Sequence, residues 1–166
     1  MLACIPIHSG MHIAVPAGTV HVITAGAIIY EVSERTQVTF RLFDWGRKPE
    51  RRLDIDNGVR AVLAGVAQRA DAAPESGVVL EENTLRTIVR FRTFRVSIAT
   101  ARHGRLNVAQ ARSTHLLTPL NSRLRFLDGG QLWESNSIDR YSSVLVPAVS
   151  RGYIIGVEGE VLVVSV

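Results

Sequence analysis

Lysine is almost missing from this chain: Lys48 is the only one in 166 residues, and every other basic side chain is an arginine. Cysteine is just as scarce. The single Cys4 excludes an internal disulfide and fits a reducing, cytoplasmic setting. No apolar run approaches the roughly 18 residues of a membrane helix, so no membrane partner is expected. The start, Met-Leu-Ala-Cys-Ile-Pro, has neither a basic segment nor a long apolar one and predicts no signal peptide. No tail or helix concentrates positive charge. The net +4 is spread from Arg35 to Arg151, and the densest group, Arg86, Arg90, Arg92 and Arg95, alternates with Ile88, Val89, Phe91 and Phe94. That pattern reads as strands with one solvated face, so nucleic acid is not expected as a partner.

The apolar content is ordinary. Hydrophobic residues make up 46% and charged ones 20%, enough for a soluble core in one domain or two small ones. The richest stretch runs from Gly10 to Arg47. Met11 to Val15 reads as a short strand. Pro16-Ala17-Gly18 reads as a tight turn, with proline fixing one φ and glycine free to take a positive one. Val20 to Ile23 opens the next strand. Side chains alternate along it, so His21 faces away from Val20 and Val22, a rigid position suited to a metal ligand. Val38 to Arg47 alternates again, with Val38, Phe40 and Leu42 on one face and Thr39, Arg41 and Phe43 on the other.

The spacing Gly10, Pro16, Gly18, His21 matches the second metal-binding motif of the cupin β-barrels. With Tyr30-Glu31-Val32 and Thr39-Phe40-Arg41-Leu42-Phe43-Asp44-Trp45-Gly46-Arg47 it resembles the type I phosphomannose isomerases, from about Ile5 to Leu63. The resemblance implies a zinc-dependent interconversion of mannose 6-phosphate and fructose 6-phosphate, in which a proton moves between C1 and C2 through an enediolate. Such chemistry needs a cation at the sugar oxygens, a proton-transfer group and a phosphate anchor. By resemblance His21 is a zinc ligand, Arg41 the active-site cation, Glu31 a proton-transfer group and Arg47 a phosphate contact. A hexose 6-phosphate is then the partner, which a basic chain suits. Each position also has a plain reading: Arg41 as a structural partner of Asp44 or Glu31, Glu31 as a solvated strand end, Arg47 as an exposed loop charge. His8, His12, His103 and His115 read as surface or packing residues. On one extended strand His8 and His12 would lie roughly 13 Å apart, too far to share a metal.

The departures from the family pattern are specific. Ser33, Glu34, Thr36 and Gln37 stand at its Gln-Gln and Ser-Asp positions, and Phe40 replaces its tyrosine. Its Gln-x-His pair and glutamate lie well upstream of the histidine motif. The twenty residues before His21 hold no such pair, so the chain reads as the C-terminal part of the enzyme, inactive alone.

After the polar link Lys48 to Arg52 the period changes. Val59, Val62, Leu63, Val66, Ala67 and Ala70 form a helical stripe, with Asp56 or Asn57 as cap, and Asp71 to Gly77 end it. From about Leu80 short strands return, at Arg95–Ala99, Leu106–Gln110, His115–Leu120, Leu124–Leu127, Gln131–Glu134, Ser143–Val146, Tyr153–Val157 and Val161–Val166. Turns are expected at His103-Gly104, Asp128 to Gly130 and Glu158 to Glu160. Val144-Leu145-Val146-Pro147-Ala148 echoes Ile13-Ala14-Val15-Pro16-Ala17, but Val149 stands for the motif glycine and Gly152 for the histidine. The expectation is an all-β, cupin-type chain: an incomplete first barrel or jelly roll (1–56), helix and linker (57–79), and a second, smaller, metal-free barrel (80–166). The alternative function is a non-catalytic cupin that binds a sugar phosphate or serves as an interaction domain.

Overall fold

The architecture comes from a computed structural model, which describes residues 2–36, 38–65, 78–80, 83–101, 104–109, 113–127, 137–150 and 152–166. The chain falls into two compact units, Met1–Asp71 and Ala72–Val166.

The second unit is a sandwich of antiparallel sheets, as its short, glycine-punctuated apolar runs imply. Among the described residues one sheet has six strands, in the order β1 (Val78–Leu80), β2 (Asn83–Arg90), β3 (Arg95–Ala101), β10 (Gly159–Ser165), β5 (His115–Pro119) and β8 (Val144–Val146). The other has four: β4 (Arg105–Ala109), β9 (Gly152–Gly156), β6 (Leu124–Phe126) and β7 (Ser137–Ile138). Alternation decides what faces inward. Val161 and Val163 of β10 pair with Ala99 and Ser97 of β3 and with Pro119 and Leu117 of β5. Directly paired residues share a face, so these meet Leu106, Leu124, Phe126, Tyr153 and Ile155 of the smaller sheet in one core. Val96, Ile98, Leu162 and Val164 occupy the opposite face of the larger sheet and are buried as well. This explains why β10 reads as an unbroken apolar run.

The turn into β10 shows why glycine is needed there. Gly159 has φ +95°, and a Cβ on it would lie 2.9 Å from the Asn121 side chain. That loop is tied down by Glu160 N–H to Asn121 Oδ1 (2.8 Å) and by Ser122 Oγ to the Glu158 carbonyl (2.7 Å).

The expected strands match β3, β4, β5, β6, β8, β9 and β10 to within a few residues. The expectations for 128–134 and His103 lie outside the described residues. The echo of the first turn is structural too. Ser150 N–H bonds the Pro147 carbonyl (3.0 Å) as Thr19 N–H bonds the Pro16 carbonyl (3.1 Å).

The first unit differs from its reading in three ways. Turns form at Ser9-Gly10, Ala17-Gly18 and Ala25-Gly26 as expected, but among the described residues the extended segments between them form no paired strands. A strand needs a neighbour to bond, and none is supplied among those residues. Second, helix α1 spans Ile55–Gly65 within the described residues, and its start is capped by Asp54, not Asp56 or Asn57. Gly58 N–H bonds the Asp54 carbonyl (2.9 Å), and Asn57 Nδ2 bonds Asp54 Oδ1 (3.0 Å). Third, the less exposed face of α1 carries Gly58, Ala61, Val62 and Gly65. Val59 and Leu63 of the expected stripe are exposed. Small residues win because the helix is pressed against its neighbours. A Cβ on Gly65 would lie 2.6 Å from the Ala17 carbonyl oxygen, and one on Gly58 would lie 2.3 Å from Leu42 Cδ2.

Candidate functional site

The motif turn is formed as its sequence requires. Thr19 N–H closes it on Pro16, and Gly18, at the third position, has φ +79°, the value a type II turn demands there. Gly18 also touches the last turn of α1: its own missing Cβ would fall 2.7 Å from Gly65 Cα. One glycine therefore serves both turn and helix contact.

This turn sets His21. The imidazole is exposed, and its Nδ1 lies 3.0 Å from the Thr19 carbonyl oxygen. A carbonyl can only accept, so Nδ1 carries a proton, and in the neutral ring this tautomer puts the lone pair on Nε2. That is how a metal-binding histidine is usually oriented, with the far nitrogen held by a backbone acceptor. His21 thus fits the role of a zinc ligand. The set around it does not: among the described residues no group of three or more His, Cys, Asp or Glu side chains could hold a metal ion, whereas zinc sites draw about three or four ligands from the protein. His8 and His12 do not extend the set. They flank a turn closed by Met11 N–H to the His8 carbonyl (3.1 Å), so the extended spacing expected of them is not adopted.

Arg41 lies beside a carboxylate. Its Nε is 3.7 Å from Asp44 Oδ1, its NH1 reaches the Arg52 carbonyl at 3.4 Å, and its own carbonyl accepts the Asp54 N–H at 2.9 Å. The last bond ties the Arg41 backbone to the residue that caps α1. Asp44 is the hub. Arg51 donates Nε–H to Oδ2 (2.9 Å) and NH2 to Oδ1, a two-point grip. That grip, with the charges of Arg51, Arg41 and Arg47, holds the Asp44 carboxyl below the usual carboxylate range, and the Asp44 bond in turn raises Arg51.

Arg47 reaches this field through an unusual turn. Trp45 (φ 56°) and Gly46 (φ 64°) are both left-handed, as in a type I′ turn, and Arg47 N–H closes it on the Asp44 carbonyl (3.0 Å). A tryptophan in that region costs about 1–2 kcal/mol. Its ring packs edge-on against Phe43, centroids 5.2 Å apart.

The structure therefore gathers Arg41 and Arg47 around Asp44. His21 and Glu31, both exposed, are not among the groups acting on it. Sequence reasoning misses Arg51, because a partner seven residues away across a loop leaves no periodic signal. It misses Gly58 and Gly65 because a glycine in an apolar stripe reads as a gap.

No family model matches the chain. A mannose-6-phosphate isomerase of Streptococcus mutans is 32% identical over 78 residues, 45% of this chain and 24% of that protein. The crystal structure of the mannose 6-phosphate isomerase from Bacillus subtilis superposes with a TM-score of 0.56 at 19% identity, over 76% of this chain and 40% of that one. The chain resembles the mannose-6-phosphate isomerases. Its fold is of their cupin type, mostly antiparallel strands with one helix. It spans about a quarter of the length of the S. mutans relative. A mannose 6-phosphate isomerase from Salmonella typhimurium, solved with fructose 6-phosphate and zinc, aligns at a TM-score of 0.45 and 15% identity, over 71% of this chain and 29% of that one, too low a likeness to bear on this one.

Proposed function

We propose that this chain carries part of a zinc-dependent site for interconverting mannose 6-phosphate and fructose 6-phosphate, and that residues 1–166 alone do not turn over. On this reading residues 1–56 are part of the catalytic barrel, 57–79 helix and linker, and 80–166 a metal-free second barrel. The observation that carries it is the motif turn: proline, glycine and histidine at the spacing of a cupin metal motif, folded into a bonded turn that leaves His21 Nε2 available.

The chain's own residues take separate roles. His21 offers one nitrogen to zinc, whose chemistry when bound is to polarise sugar oxygens. Arg41, charged at any working pH, stabilises negative charge on the enediolate oxygen. Glu31 moves the proton between C1 and C2. Arg47 holds the phosphate, its charge only partly offset by Asp44. One imidazole leaves zinc's other positions to water, so an ion bound to this chain exchanges freely.

The test is a chimera in which the part of the S. mutans mannose-6-phosphate isomerase that precedes its matched segment is joined to this chain. Zinc binding and turnover are expected, and Arg41→Ala should lower kcat by about 10²–10³-fold, roughly 2.7–4 kcal/mol, with KM little changed. A folded, zinc-loaded chimera without turnover would leave the second reading, a non-catalytic module that binds a sugar phosphate.

A further inference from the structure

We infer that Asp44 is the positioning residue of Arg41, and that Arg51 fixes Asp44 in turn. This rests on the reading of Arg41 given above. Three arginines that act on one carboxylate repel one another unless something compensates them. Asp44 is the acid they share, and its side chain is only 12% exposed. Arg51 occupies both of its oxygens, which sets the plane of the carboxylate. Arg41 meets the same carboxylate through Nε and the Arg52 carbonyl through NH1. Those contacts use the Nε–H and one hydrogen of NH1, which point to different sides of the guanidinium. NH2 and the second hydrogen of NH1 remain for a ligand. The main chain agrees with the side chains. The Arg41 carbonyl is bonded by Asp54, and the Asp44 carbonyl by Arg47 across the strained Trp45-Gly46 turn. The backbone of both residues is thus held where the two side chains meet. An arginine with four side-chain torsions would otherwise lose rotamer freedom on meeting its ligand; here part of that ordering precedes binding.

The test is arginine Nε–Hε exchange, read by nitrogen-15 NMR on the full 166-residue chain, with Arg41→Lys and Arg51→Lys to assign the signals. In the unsubstituted chain the Hε of Arg51, bonded to Asp44 at 2.9 Å, should exchange with water roughly tenfold more slowly than those of exposed arginines, the scale of one charge-assisted hydrogen bond, and the Hε of Arg41, ion-paired with Asp44 at 3.7 Å, should be slowed less but still exchange more slowly than the exposed ones. Asp44→Asn should bring both to the exposed rate. Arg51→Gln, at a more exposed position, should speed Arg41 exchange although it removes none of Arg41's own contacts. An Arg41 signal that stays slow in both variants, or is never slow, overturns the inference. Titration with fructose 6-phosphate separates it from the proposed function. A linked Arg41–Asp44–Arg51 response with no effect of the sugar phosphate upholds Asp44 as the residue that holds Arg41 and counts against the isomerase reading alone.

Discussion

Gly65 and Gly18 approach backbone to backbone, and neither side has a flexible atom that can move aside. Alanine is the better helix former, yet Gly65→Ala would place a methyl 2.6 Å from the Ala17 carbonyl and 2.7 Å from Gly18 Cα. The clash outweighs the propensity gain of about 1 kcal/mol, and the variant should lose roughly 1–3 kcal/mol, read as lost helical circular dichroism and a lower denaturant midpoint. Gly10→Ala is the contrast: its φ is +80° but no atom lies within 4 Å, so strain is its only cost. His115 gives a second prediction. The ring is half-buried, with Nδ1 2.8 Å from the buried Tyr153 hydroxyl, and burial lowers its pKa below the ordinary 6.5 while raising that of Tyr153. The unfolded chain then binds more protons than the folded one as pH falls from the ordinary histidine value to the folded one. Stability is therefore full above that window and drops as pH falls through it. Replacing His115 with Gln, which can still bond the hydroxyl, should flatten the acid side of the stability–pH curve of the second unit. In the sequence His115 reads as a surface or packing residue, and packing is what it does.

Strands are legible where the chain supplies both partners. From Arg95 onward, apolar runs bounded by glycine fall on β3 to β6 and β8 to β10. The short β1 and β7 carry too few residues for a period to appear. In the first unit the turns are legible, because Ser9-Gly10, Ala17-Gly18 and Ala25-Gly26 act locally. The ladders are not, because pairing depends on what lies alongside. The helix is visible by period, but its buried face is not. The stripe of Val59 and Leu63 promises a hydrophobic contact, whereas Gly58 and Gly65 allow a closer one. The site divides the same way. His21 and Arg41 stand out through their motif, and the chain itself shows how each is held. Arg51 emerges only once the loop folds back on Asp44. For the second barrel, the repeat that loses glycine and histidine at Val149 and Gly152 predicts that residues 80–166, expressed alone, bind no stoichiometric zinc. Metal analysis of that segment checks it.

The two units differ in what they bury. Among the described residues the second has a core of eleven buried residues drawn from both sheets and their flanks. In the first, Gly58 is the only buried residue among those described, and Ile5, Ile7, Ile13, Val22, Ile28 and Phe43 are among many apolar side chains left exposed. An apolar surface on that scale drives association, so the chain should self-associate with rising concentration. No described helix is long and apolar enough to cross a membrane. The most direct measurement takes the purified 166-residue chain, titrates zinc by calorimetry and follows mannose 6-phosphate conversion with a coupled enzyme. The expected result is weak, freely exchanging zinc and no turnover. Submicromolar zinc affinity together with turnover would contradict it, and would mean that Glu31, His8 or His12 completes the site with His21.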